Sequence, residues 1–120
     1  MGLDIYFTRK ITKEIGYFRK VNFLVKFFEE KGMDVENQRP LKIFKEDVEE
    51  LARLCKKVLN DHSLAEELLP TCSGFFFGPT KYNDDYFECV QNVLTYVEEE
   101  LIPEFDNLGY DESIYFEIWY

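Results

Sequence analysis

The sequence is short of the residues that common catalysis needs. Histidine occurs once, at His62 beside Asp61, and no serine lies in a G-x-S-x-G frame, so a Ser/His/Asp reading lacks support. There are three cysteines, Cys55, Cys72 and Cys89. The number is odd, none forms a C-x-x-C pair, and no Cys/His set has zinc spacing. They read as small apolar residues of a reducing compartment. No apolar run approaches the roughly 18 residues of a membrane span. Met1–Asp4 lacks the basic start of a signal peptide, and Tyr6 and Phe7 stand where N-myristoylation wants Ser or Thr. A cytoplasmic protein with no membrane contact is expected.

Basic residues nearly vanish from the second half. Residues 61–120 hold Lys81 alone against 14 Asp/Glu, a net of -13, whereas residues 1–60 hold 13 Lys/Arg and 10 Asp/Glu, a net of +3; the sum is -10. So acidic a chain is repelled by nucleic acid and by anionic membranes, and it is attracted to basic protein surfaces. Direct nucleic-acid binding is not expected. The same charge can also serve solubility alone. The carboxylates after residue 84 are expected to form a continuous negative surface rather than to pair with the lysines of the first half.

What is abundant is core material. Hydrophobic residues make up 46% of the 120 and aromatics 18%, enough for one packed domain over residues 1–120. Leu3, Ile5 and Phe7 alternate with polar neighbours, as do Ile114, Phe116 and Ile118; both segments predict half-buried strands. A helix is predicted over 12–31, opened by Thr12 or Lys13 and ended by Gly32. Leu41–Phe44 suggests a short strand, followed by a helix over 46–60. Ser63 is expected to cap a short helix over 64–69. A long helix over 84–102 is expected to be capped by Asn83 or Asp84 and ended by Pro103. The fold class is α+β, with a small antiparallel sheet that includes both chain ends and packs against about three helices.

On a continuous helix over 12–31, Phe23 and Phe27 lie opposite a broad apolar face. Arg19, Asn22 and Lys26 form a polar row between the two sectors, with Lys20 beside Phe27. A helix apolar on two sides is mostly covered, so a polar row on it needs partners. Those are either the chain's own carboxylates or an anionic ligand. Thr71–Tyr82 contains three Phe residues between Gly74 and Gly78. It lacks the G-K-[ST] of a phosphate loop, and Phe76 must face away from Phe75 and Phe77 if the segment is extended. This makes it either a core strand or one wall of a site. His62 reads as a surface residue after a helix end, and Asp84, Asp85 and Glu88 as carboxylates favoured by a helix N-terminus rather than as cation ligands. No metal or cofactor is expected.

Four segments carry a resemblance: Gly2-Leu3-Asp4-Ile5-Tyr6, Glu14 through Asn22, Leu69 through Gly78, and Ile118-Trp119-Tyr120. Together they resemble a family of small proteins from bacteriophages, prophages and bacteria, over nearly the whole chain. The family pattern often has Trp at the positions of Phe18 and Phe27 and His at that of Val25, and this chain departs at all three. The resemblance implies no activity, only a setting: an accessory protein in a bacterial cytoplasm. The missing His implies that a His-dependent activity would be absent here.

Two functions fit these observations better than an enzyme. One is a non-catalytic binder of a small anionic ligand, possible nucleotides included. Arg19, Lys20, Asn22 and Lys26 would meet its charge, and Phe23, Phe27, Ser73, Gly74, Phe76 and Tyr82 would surround the rest. The other is an acidic inhibitor that docks on a basic host protein.

Overall fold

The computed structural model describes residues 2–10, 13–73 and 79–120. Strands β1 (Asp4–Arg9), β2 (Lys13–Arg19), β3 (Leu41–Ile43) and β4 (Ile114–Trp119) form one antiparallel sheet in the order β2-β1-β4-β3. The expected pairing of the two chain ends is present: Ile5 lies opposite Ile118 and Phe7 opposite Phe116. The alternation of these strands decides which face is covered. Leu3, Ile5, Phe7, Ile43, Ile114, Phe116 and Ile118 are all buried on the helix side.

Three longer helices cover that side: α1 (Asn22–Glu30), α2 (Lys45–Asn60) and α4 (Asp84–Tyr96). A 3-10 turn, His62–Leu64, and a short α3 (Ala65–Leu68) follow α2. The predicted stripe of the last helix, from Tyr86 through Val90, Val93, Leu94 and Val97 to Leu101, is buried throughout. Phe28 of α1 lies on Phe116, with ring centroids 4.4 Å apart, and this stack ties helix to sheet near the molecule's centre.

The predicted helix over 12–31 is corrected. Its first half is strand β2, and only Asn22–Glu30 is helical. Gly16 is a poor helix residue, whereas Tyr17 and Phe18 suit a strand. Lys20 takes a left-handed φ of 60°, separating strand from helix, and its N–H donates to Leu3 O at 2.6 Å. A β-bulge offsets the register, with Phe7 opposite Gly16 and Thr8 opposite Glu14. Tyr96 Oη donates to Ile15 O at 3.1 Å across this bulge. An added Cβ on Gly16 would lie 2.2 Å from that hydroxyl oxygen, so only glycine fits beneath the Tyr96 ring.

Other boundaries differ in detail. The cap after α2 is Asp61, whose carboxylate accepts from Ser63 N at 3.1 Å and Ser63 Oγ at 2.6 Å, rather than Ser63 itself. Asn83 caps α4, accepting from Tyr86 N. Pro103 does not end that helix. A π-helical stretch, Val97–Leu101, leads into α5 (Ile102–Asp106), where Pro103 occupies the first turn. There its fixed φ is suitable and its missing N–H is tolerated.

The expected separation of charge is also corrected. Lys45 pairs with Asp106 at 2.7 Å, Lys56 pairs with Glu98 at 2.5 Å, and Arg9 meets both Glu104 and Glu112. Folding brings the basic half of the chain against the helix and loop that carry these acids. Arg9 Nε donates to Glu112 Oε2 at 2.7 Å, and Gly109 N donates to Glu112 Oε1 at 2.8 Å, so the turn before β4 is clasped to the end of β1. The Arg9 bond is the main cause that holds the Glu112 carboxyl at about 2, below its ordinary 4.5. A depressed carboxyl stabilises the fold above its unfolded value, and the contribution is lost as pH falls. The difference in urea midpoint between the wild type and Glu112→Gln should therefore be constant above about pH 5 and close as pH falls toward about 2. A difference that persists unchanged at the acid end would contradict this account of the clasp.

Candidate functional site

A cleft of about 160 Å³ opens where the β2–α1 junction meets the start of α4. The left-handed Lys20 turns the chain there, between the end of β2 at Arg19 and the start of α1 at Asn22. Both basic side chains run over Gly2, where an added Cβ would sit 2.8 Å from Lys20 Cε. Lys81, the sole cation of the second half, lines the same cleft. Val21, Phe23, Tyr86 and Cys89 supply apolar lining, and Asp85 is the only carboxylate among the lining residues. Three cations against one acid give the cleft a formal +2 in a protein of -10.

The neutral polar groups around the cleft are engaged within the protein. Asn22, buried at 3% exposure, donates from Nδ2 to Pro79 O at 2.9 Å and accepts at Oδ1 from Cys72 N at 3.3 Å. Thr71 Oγ1 donates to Thr80 O, and Asn83 accepts from Tyr86 N. Tyr86 Oη donates to Leu69 O at 2.7 Å, and burial pushes its hydroxyl pKa up. By contrast, Arg19, Lys20 and Lys81 are exposed and make no ion pair among the described residues. The first turn of α1 borders the same space and has neither a capping side chain nor an acidic residue. A helix N-terminus favours anions, and here Leu24 N also donates to Val21 O at 3.2 Å.

Of the residues predicted from sequence, Arg19, Lys20, Asn22 and Phe23 line this cleft, and Lys26, Phe27, Ser73 and Tyr82 do not. The polar row of Arg19, Asn22 and Lys26 is corrected, because Arg19 belongs to a strand and is exposed rather than set between apolar sectors. Phe27 is buried edge-on against Phe28 at 5.0 Å, facing a different hollow. Tyr82 stands behind Tyr86, at 5.0 Å, with its hydroxyl accepting from Thr71 N. Lys26 is half-buried and Ser73 exposed. Gly74 and Phe76 lie outside the described residues, as do Phe75, Phe77, Gly78 and Thr12. Lys81 was missed as a site residue; its isolation in an acidic half was the available signal.

Two other hollows are larger, at about 340 and 450 Å³, but their cations are already neutralised. Lys31 meets Glu50 and Asp47 in the first, and Arg9 meets Glu104 and Glu112 in the second. Unpaired charge, rather than volume, singles out the smaller cleft. Burial is the chief cause that pushes the thiols up, Cys55 to about 12 and Cys72 to about 11, with Cys89 raised as well. His62 stacks on Phe87 with centroids 3.6 Å apart. Among the described residues no group of three or more His, Cys, Asp or Glu could hold a metal ion, and no helix is long and apolar enough to cross a membrane. Comparison with family models, curated proteins and solved structures gives no match to this chain.

Proposed function

We propose that the cleft binds a small anion, a phosphate or carboxylate borne on a small molecule, and that the protein acts as a non-catalytic binder in a bacterial cytoplasm. The resemblance to phage and prophage proteins supports that setting. The observation that carries the reading is that Arg19, Lys20 and Lys81, none of them ion-paired among the described residues, line one cleft with apolar side chains. Size narrows the ligand. Pockets that enclose drug-sized molecules span about 300–1,000 Å³, and this cleft has about 160 Å³. It suits a charged headgroup with a small apolar appendage; a nucleotide would leave its base outside.

Inorganic phosphate is the simplest probe. At matched ionic strength, phosphate should raise the melting temperature of the wild type more than chloride does. Arg19→Ala and Lys81→Ala should melt near the wild type without phosphate, because neither residue holds an ion pair among the described residues. Each should weaken phosphate binding about tenfold or more, as expected for loss of a charge-assisted contact. An equal phosphate response in both variants would exclude the cleft. The alternative, an acidic surface docked on a basic host protein, is weakened because Glu98, Glu104, Asp106 and Glu112 are paired within the chain.

A further inference from the structure

A sheet with helices on one face turns its other face to water, and that face is ordinarily polar. Here it carries Tyr6, Tyr17, Tyr115 and Trp119, with Tyr17 47% and Trp119 44% exposed. Its polar groups are partly satisfied in place. Tyr17 Oη donates to Asp4 Oδ1 at 2.7 Å, and Trp119 Nε1 donates to the Glu117 carboxylate. Such internal bonds lower the cost of removing the face from water. One atom on it is left over. Among the described residues, Thr8 Oγ1 is the buried side-chain oxygen without a hydrogen-bond partner.

We propose that this face is the contact between two copies of the chain, related by a two-fold axis parallel to the strands and passing between β1 and β4. The registers show why the face complements itself. One row across the sheet reads Glu14, Thr8, Tyr115, Lys42, from β2 to β3. The proposed axis lays β1 over β4 and β2 over β3 of the second copy. Glu14 then meets Lys42 of the second copy, and Thr8 meets Tyr115. In the other rows Tyr6 meets Glu117 and Asp4 meets Trp119. The contact between charged groups that these rows define, Glu14 with Lys42, is of opposite sign, and symmetry provides it twice. A two-fold axis perpendicular to the strands along the Tyr6–Glu117 row would set Glu117 against its own copy. Aromatic platforms also stack nucleic-acid bases, but on this one the acids Asp4, Glu14 and Glu117 outnumber the cations Arg19 and Lys42.

At about 4.8 Å between strands and about 3.4 Å per residue, strands of six, seven, three and six residues give a footprint of about 360 Å² per copy. Interfaces at the low end of size are weak or transient, so a micromolar-to-millimolar dimer is expected. Light scattering and sedimentation from about 10 μM to about 1 mM should follow a monomer–dimer equilibrium, and emission from Trp119, the only tryptophan, should shift to the blue with concentration. Lys42→Glu and Glu14→Lys should each weaken association about tenfold or more, and the double variant should restore it. Lys42 and Glu14 are not among the cleft's lining residues, so phosphate binding should be unchanged and the two readings fail separately. A wild type that stays monomeric throughout, a Lys42→Glu variant that associates normally, or a double variant that is not rescued would overturn the proposal. So would a monomer whose Trp119 emission is quenched by a single-stranded oligonucleotide.

Discussion

Phe116→Ala should lower the stability of the protein by about 3–5 kcal/mol, the range for emptying a large aromatic site in a core. Phe116 is fully buried on β4, between β1 and β3, and its ring meets Phe28 at 4.4 Å and Phe7 at 5.6 Å. The vacated volume would adjoin both the sheet and α1, and neither can move in without breaking a strand ladder or the helix packing. A domain of this size has about 5–15 kcal/mol in total. The variant should therefore unfold at much lower urea concentration, with an unchanged slope. A shift of less than about 1 kcal/mol would mean that the ring is not at the centre of the core.

Asn22→Ala should cost about 2–4 kcal/mol, because it strands two backbone groups at once. Asn22 Nδ2 donates to Pro79 O, and Oδ1 accepts from Cys72 N, so one side chain joins two sections of the chain to the start of α1. Asn22→Asp keeps an acceptor for Cys72 N but places a carboxylate oxygen against Pro79 O. It too should be destabilised, and it should bind phosphate worse than its stability alone explains, since it adds a negative charge to the cleft. Urea unfolding of both variants checks this. An Asn22→Ala protein as stable as the wild type would show that these bonds do not hold the cleft's walls together.

Strands β1 and β4 were legible because their period-two alternation coincides with one covered face: Ile5, Phe7, Ile114, Phe116 and Ile118 are all buried. The same holds for the stripe from Tyr86 to Leu101. Residues 13–19 were misread because their aromatics also fit helical spacing. What decides for a strand is tertiary: pairing with β1, and the Tyr96 ring lying over Gly16. The error carried into the site, because Arg19 and Asn22 were placed one helical turn apart on a single helix. They still line one cleft, since the left-handed Lys20 folds the end of β2 back beside the start of α1. Lys81 is 61 positions from Lys20 in the chain, and no local pattern could place it there. The cross-half ion pairs were invisible for the same reason: they follow from which elements pack together.

The central claim is that Arg19, Lys20 and Lys81 form a site for an anion. A proton–nitrogen correlation titration with inorganic phosphate tests it at the residues themselves. The amides of Lys20 to Leu24 and of Lys81 to Tyr86 should shift progressively to saturation, while those of α2 stay still. The Lys20→Ala/Lys81→Ala double variant should lose the response. Phosphate-induced shifts confined to other elements, no saturable shift at all, or an unchanged response in the double variant would contradict the claim.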